Sequence, residues 1–150
     1  LLDEAARRPA DAAAALERAI LLREVTFRIF SALAANRPPA EDDLALLNGA
    51  LAVALAHAQI VRTPDSFTWG WRTDDQTLDQ LLWPVVRSAA DLLTSGEWRL
   101  VRECAADDCA WLFLDTSKNR SRRWCDMKVC GNRAKVRRFY QRKKGAQRSQ

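Results

Sequence analysis

Residues 104–133 read CAADDCAWLFLDTSKNRSRRWCDMKVCGNR. Cys104 and Cys109 form one C-x4-C pair, Cys125 and Cys130 form a second, and 15 residues separate the two. Two short-spaced pairs at this separation have the form of a structural zinc site, because each pair wraps a tight turn around the metal and the insert brings the turns together. Four thiolates at about 2.3 Å complete a tetrahedron and leave no position for a water, so one Zn2+ is expected to hold the fold and to perform no chemistry. The sole histidine, His57, lies outside the stretch, which leaves four cysteines as the only ligand set here. Two disulfides, or unrelated thiols, fit the paired spacing less well, and no export signal accompanies them.

Outward from the cysteines, Trp98–Glu103, Trp111–Asp115 and Arg122–Trp124 read as three short strands. Gly131 frees the backbone after Cys130, Asn132 caps, and Arg133–Lys144 reads as a helix. Knuckle, hairpin and helix in this order predict a treble-clef-like finger. About 50 residues with few large apolar side chains build little core. Zinc would supply about 10–16 kcal/mol in such modules, much of it as folding free energy. Val136, Phe139 and Tyr140 share one arc of the helix and are expected to dock it on the finger.

The first 96 residues read differently. Pro9 and Asp11 open a long helix with Leu16, Ile20, Phe27 and Phe30 on one face, widened by Leu22, Ile29 and Leu33, and with Glu24 and Arg28 as an i,i+4 pair. Asn36-Arg37-Pro38-Pro39 stops it. A second helix runs from about Glu41 to His57. The uncharged run Leu44–Val61 contains Asn48, Gly49, His57 and Gln59, so it reads as a buried helix and not as a membrane span. Phe67, Trp69 and Trp71 alternate with polar residues beyond Thr63-Pro64-Asp65-Ser66 and predict a hairpin. Asp74 and Asp75 are N-cap candidates for a third helix, with Leu78, Leu81, Leu82, Val85, Ala89, Leu92 and Leu93, ending at Ser95-Gly96; Pro84 should kink it or begin its second half. The tryptophans and His57 are read as packing residues. The class expected is mainly α with small β elements, split into a helical domain over 1–96 and a zinc finger over 97–150.

Charge divides at the same place. Residues 1–96 carry 9 Lys and Arg against 13 Asp and Glu, a net of −4, whereas residues 97–150 carry 15 against 6, a net of +9. A basic end on a mildly acidic body points to a polyanion handled by that end. On the helix, Arg133, Arg137 and Lys144 form one ridge and Lys135, Arg138 and Arg142 another. The loop adds Lys118, Arg120 and Arg122 beside hydroxyl and amide donors. Such side chains suit phosphates, and arginine also suits guanine edges. Arg133 adjoins the Cys130 turn, so it could equally serve the thiolates. A zinc with four thiolates adds −2, which two cations would balance, leaving a surplus for nucleic acid.

The stretches Trp111–Ser117, Arg122–Met127 and Cys130-Gly131-Asn132-Arg133, with Lys135 and Arg138, resemble the CGNR zinc finger family of bacteria over residues 98–143. Phe67-Thr68-Trp69-Gly70-Trp71 and Ser88–Ser95 are similar to the ABATE domain that usually precedes that finger. The resemblance implies a stress-induced transcription regulator whose family cysteines correspond to Cys104, Cys109, Cys125 and Cys130. It also implies an N-terminally trimmed chain, in keeping with a start at Leu1 and a single methionine at Met127. The reading is a cytoplasmic, zinc-dependent regulator that binds duplex DNA, with no membrane association and no catalytic residues. It leaves room for a small-molecule effector of the first domain and for a homodimer. The alternative is a structural zinc module for protein or RNA interaction.

Overall fold

The computed structural model describes residues 2–72 and 77–147, with side chains from 3 to 72 and from 77 to 143. It divides into two compact units, Leu1–Ile29 with Pro38–Glu97, and Phe30–Arg37 with Trp98–Gln150. The chain is mainly helical with two small antiparallel sheets, as its patterning implies.

In the first unit, α1 (Leu2–Arg7) leads almost without a break into α2 (Pro9–Ala34), since the Arg8 amide donates to the Glu4 carbonyl and the Ala12 amide to that of Arg8. Pro9 opens α2, where its missing N–H costs nothing. The buried stripe of α2 is Leu22, Val25, Ile29 and Phe30, of which Leu22, Ile29 and Phe30 are buried as expected. Leu16, Ile20 and Phe27, expected on the core face, are exposed. The reason lies in composition: apolar residues surround α2 on every side, so periodicity alone does not select which arc is buried. Arg28 does not pair with Glu24 either. Its guanidinium forks onto both carboxylate oxygens of Asp43, at 2.6 to 3.1 Å, while Glu24 takes Arg23. A bidentate contact to a buried carboxylate outcompetes an exposed helical pair.

The uncharged run does not form one helix. α3 (Glu41–Ala56) ends at His57, and Ala58 begins a strand. No helix among the described residues is long and apolar enough to cross a membrane. Strands β1 (Ala58–Arg62) and β2 (Phe67–Trp71) form the expected hairpin, in register Ala58 to Trp71 and Arg62 to Phe67, and the Thr63 amide closes the turn on the Ser66 carbonyl.

A 3-10 turn over Leu78–Leu81 leads into α4 (Leu82–Thr94), so Pro84 occupies the first turn of the α-helix proper. Asp74 and Asp75, the N-cap candidates, lie outside the described residues. The buried face of α4 is Trp83, Val86 and Ala89, whereas Leu81 and Val85 are exposed. Gly96 ends the helix at φ 79, a left-handed conformation in which only glycine is unstrained. His57 stacks flat on Trp83 at 4.1 Å, Trp71 leans on the same ring at 6.0 Å, and the Arg87 guanidinium covers Trp69.

The second unit contains the last turn of α2, whose Ser31 hydroxyl donates to Glu103. A 3-10 turn (Glu97–Leu100) precedes β3 (Val101–Glu103), which pairs antiparallel with β4 (Leu112–Leu114). The first expected strand is therefore confined to its final three residues. Arg122–Trp124 forms no strand: it makes one backbone–backbone bond, from the Ala105 amide to the Arg123 carbonyl, while the Arg122 side chain donates to the carbonyls of Trp124 and Cys125. A single π-turn over Met127–Gly131 then opens α5 (Asn132–Gln147).

Two further expectations fail here. Gly131 does not adopt a positive φ. A Cβ there would fall 2.5 Å from Met127 Sδ, on a flexible and exposed side chain, and 3.7 Å from the Trp124 ring. Val136, Phe139 and Tyr140 do not dock α5 on the finger, being 53 to 59% exposed. The finger is too small to cover them, and its apolar centre is instead Cys104, Ala106 and Cys130, with Cys109, Trp124 and Cys125 packed around it.

Candidate metal centre and basic surface

The four cysteine sulfurs converge. Cys104 closes β3, Cys109 ends the turn after it, Cys125 precedes the π-turn and Cys130 lies within it; their Sγ atoms all fall within 4.8 Å of one another. Cys125 Sγ is 3.7 Å from both Cys109 Sγ and Cys130 Sγ. That spacing excludes a disulfide between them. It matches the edge of about 3.8 Å of a tetrahedron whose sulfurs stand about 2.3 Å from a central metal. The cluster is a single site that fits one zinc ion.

The surroundings fit a thiolate cluster. The Cys125 amide donates to Cys104 Sγ at 3.4 Å, the Trp111 amide bonds Cys109, and Arg133 Nη2 donates to Cys130 Sγ at 3.4 Å. Burial acts to raise the Cys104 thiol, but the amides of Cys125 and Ala106 outweigh it and bring it down to about 7. Burial, and then the neighbouring sulfurs, push Cys125 up to about 12. All four sulfurs become thiolates together only around a cation.

Asp126 shapes the second knuckle: its carboxylate accepts from the Val129 amide at 2.9 Å, capping the π-turn, and its carbonyl accepts from the Gly131 amide. Within the first knuckle, between Cys104 and Cys109, lie Asp107 and Asp108. Arg133 bonds Asp108 at 2.8 Å, and Arg137 bridges Asp107 at 3.2 Å and Asp108 at 2.8 Å. Contact with Cys130 and then with Asp108 holds the Arg133 charge more firmly than in water. Together with Arg123, Trp124 and Arg138, these residues line a cleft of about 320 Å³.

The remaining cations divide into two sets. Arg122 spans the carbonyls of Trp124 and Cys125 and lies over the Phe113 ring, so it fastens the loop to the finger. Lys118, Arg120, Lys135 and Arg138 are exposed, and their side chains make no hydrogen bond or ion pair among the described residues. Among the described residues, the Arg142 side chain donates only to the Arg138 carbonyl, at 3.4 Å. The side chain of Lys144 lies outside the described residues.

Asp115 is the residue that sequence reasoning passed over. It is 1% exposed and carries the whole 117–122 loop: one carboxylate oxygen accepts the Ser117 amide and hydroxyl, the other the Arg122 amide. These donors, the Ser117 hydroxyl above all, hold its carboxyl below the usual range. The signal was present in Asp115-Thr116-Ser117, since an aspartate two residues before a serine favours such a turn. A lowered folded-state value means that the stabilisation is complete above the ordinary carboxylate range and is lost as pH falls through the lower one. Asp115→Asn places an amide among three donors. At neutral pH it should speed tryptic cleavage after Lys118 and Arg120 about tenfold, as mapped by mass spectrometry, with zinc retained. Unchanged cleavage would remove Asp115 from this role.

With this geometry in place, family comparison is decisive. Residues 1–96 match the ABATE family, described as "Putative stress-induced transcription regulator", and residues 100–143 match the CGNR zinc finger. The chain belongs to the ABATE family. Its CGNR finger supplies Cys130-Gly131-Asn132-Arg133 as the second knuckle and the start of α5, and all four clustered cysteines fall within the matched finger. The family description is that of a regulator, and this ABATE protein carries the zinc-finger partner expected of it. No curated protein matches the chain.

Proposed function

We propose that this protein is a zinc-dependent DNA-binding regulator organised as a helical domain over 1–96 and a finger over 97–150. Zinc at Cys104, Cys109, Cys125 and Cys130 holds the two knuckles, and the loop and α5 bear on duplex DNA. The observation that carries the reading is a set of uncommitted cations, Lys118 and Arg120 on the loop with Lys135, Arg138 and Arg142 on α5. Asp115 and Arg122 fix the loop that bears the first two, and Arg120 is held there at φ 49. Chains of this kind neutralise phosphates and release counterions. No catalytic residue is assigned.

Arg133 and Arg137 take a different part from the other five. Their engagement with Asp107 and Asp108 makes them buttresses of the knuckle first and DNA contacts second. Lys135→Ala should therefore reduce the slope of log K against log salt by about one unit, since one phosphate contributes about 0.9. Arg137→Ala should change it less, and Asp107→Asn with Asp108→Asn should tighten duplex binding by freeing both arginines. Titration of a fluorescent duplex at four salt concentrations checks this. Equal slopes for Lys135→Ala and the parent would favour the second reading, a structural zinc module for protein or RNA partners, which draws support from the exposed Val129, Val136, Phe139 and Tyr140.

A further inference from the structure

Zinc binding and phosphate neutralisation leave one face of α5 without a role. With about 100° between successive residues, Asn132, Val136, Phe139 and Lys143 fall in one row along the helix, and Tyr140 stands beside it. Val136, Phe139 and Tyr140 are 53 to 59% exposed. The Asn132 carboxamide is exposed too and makes no hydrogen bond among the described residues. On the opposite side of the helix, Ala134 and Gln141 line the cleft with Trp124 and Asp107, so the row points away from the finger.

Charge says what this row meets. α5 contains no acidic residue from Asn132 to Gln147. Lys135, Arg138 and Arg142 border the row on one side, and Arg133 and Arg137 border it on the other. An apolar protein surface laid over Val136 and Phe139 would bring its rim against these cations. A nucleic-acid groove presents phosphates along both rims instead, and the major groove, about 12 Å wide, admits a helix of about 10–12 Å. The chemistry of the row then selects the base pair. A carboxamide matches the N7 acceptor and N6 donor of adenine, and apolar side chains match the 5-methyl group of thymine. One A·T pair offers both.

We propose that α5 lies in the major groove and reads A·T pairs: Asn132 donates to adenine N7 and accepts from N6, while Val136 and Phe139 pack on thymine methyls. The inference rests on the duplex-DNA reading and deepens it. Sequence preference is assigned to three uncharged residues, and the cations beside them supply affinity that is indifferent to sequence.

The test is titration of the whole chain with a fluorescent duplex of alternating dA and dT and with two twins of it. In one twin dU replaces dT, which removes only the methyl groups; in the other 7-deaza-dA replaces dA, which removes only the N7 acceptor. The parent should bind the dT duplex at least about fourfold more tightly than the dU twin, the worth of one buried methyl. It should bind about fivefold more tightly than to the 7-deaza twin. Val136→Ala with Phe139→Ala should abolish the first difference, and Asn132→Ala the second. Both variants should keep the zinc content of the parent, because these side chains are exposed, and its salt slope, because no cation is lost. Equal parent affinity for dT and dU, or for dA and 7-deaza-dA, would overturn the proposal, as would either preference surviving in its variant. So would a dimer formed without DNA and dissociated by Val136→Ala with Phe139→Ala, since the row would then face a second copy of the chain. Salt-dependent binding without discrimination would sink this inference alone, whereas absence of duplex binding would sink the duplex reading with it.

Discussion

Cys125→Ser should yield a protein that holds no zinc and has lost the second unit, with most of the helix signal of the first unit remaining. The expected effect is large because the finger has almost no other apolar core: Cys104 and Cys130 are buried with Ala106 and Val101, and Cys109, Cys125 and Trp124 are half-buried around them. Trp111, Val129, Val136, Phe139 and Tyr140 are exposed and contribute little burial. Structural zinc sites in comparable modules bind with about 10–16 kcal/mol at neutral pH, which exceeds the whole stability of a typical small domain. Elemental analysis should give one zinc per chain for the parent and none for the variant. Amide exchange should show protection lost over residues 98–143 and kept in α2, α3 and α4. One zinc retained by the serine variant, or unaltered protection in the finger, would contradict the assignment.

The second large effect concerns five of the uncommitted cations, those on the loop and on the two ridges of α5. Replacing Lys118, Arg120, Lys135, Arg138 and Arg142 together by glutamine should reduce the salt slope on duplex DNA from about −4 or −5 to near zero. At a slope of −4.5, the parent loses roughly 500-fold in affinity between 50 and 200 mM salt, and the variant would lose almost none. Stability should change little, because none of these side chains holds part of the finger. Arg120→Gln alone keeps the left-handed backbone at φ 49 and so leaves that strain in place. A slope that persists in the five-fold variant would move the contact surface elsewhere, with Arg123 and the cleft around Trp124 the next residues to test.

How far the sequence carries depends on how local each determinant is. Cysteine spacing, the Thr63–Ser66 turn and the glycine stop at Gly96 are set within a few residues of themselves, and all three appear where the patterning puts them. Facing is not local. α2 and α4 bury only part of the arcs inferred: Leu22, Ile29, Phe30 and Ala89 are buried as expected, but Leu16, Ile20, Phe27, Leu81 and Val85 are exposed, because apolar residues surround α2 and because Trp83 and Val86 outrank the leucines of α4 through contacts from other elements. The same limit applies to charge: Arg133 and Arg137 look identical to Lys135 and Arg138 on a helical wheel. Only the folded first knuckle, which brings Asp107 and Asp108 against them, separates bound arginines from free ones. Asp115 was legible as a turn former, yet its burial beneath the loop depends on the pairing of β3 with β4.

The most direct test of the account is a selection from random duplex DNA with the whole chain, run once with zinc bound and once after chelation. The account predicts an enriched duplex motif in the first arm and none in the second. No enrichment with zinc bound, or the same motif recovered after the metal has been removed, would contradict it.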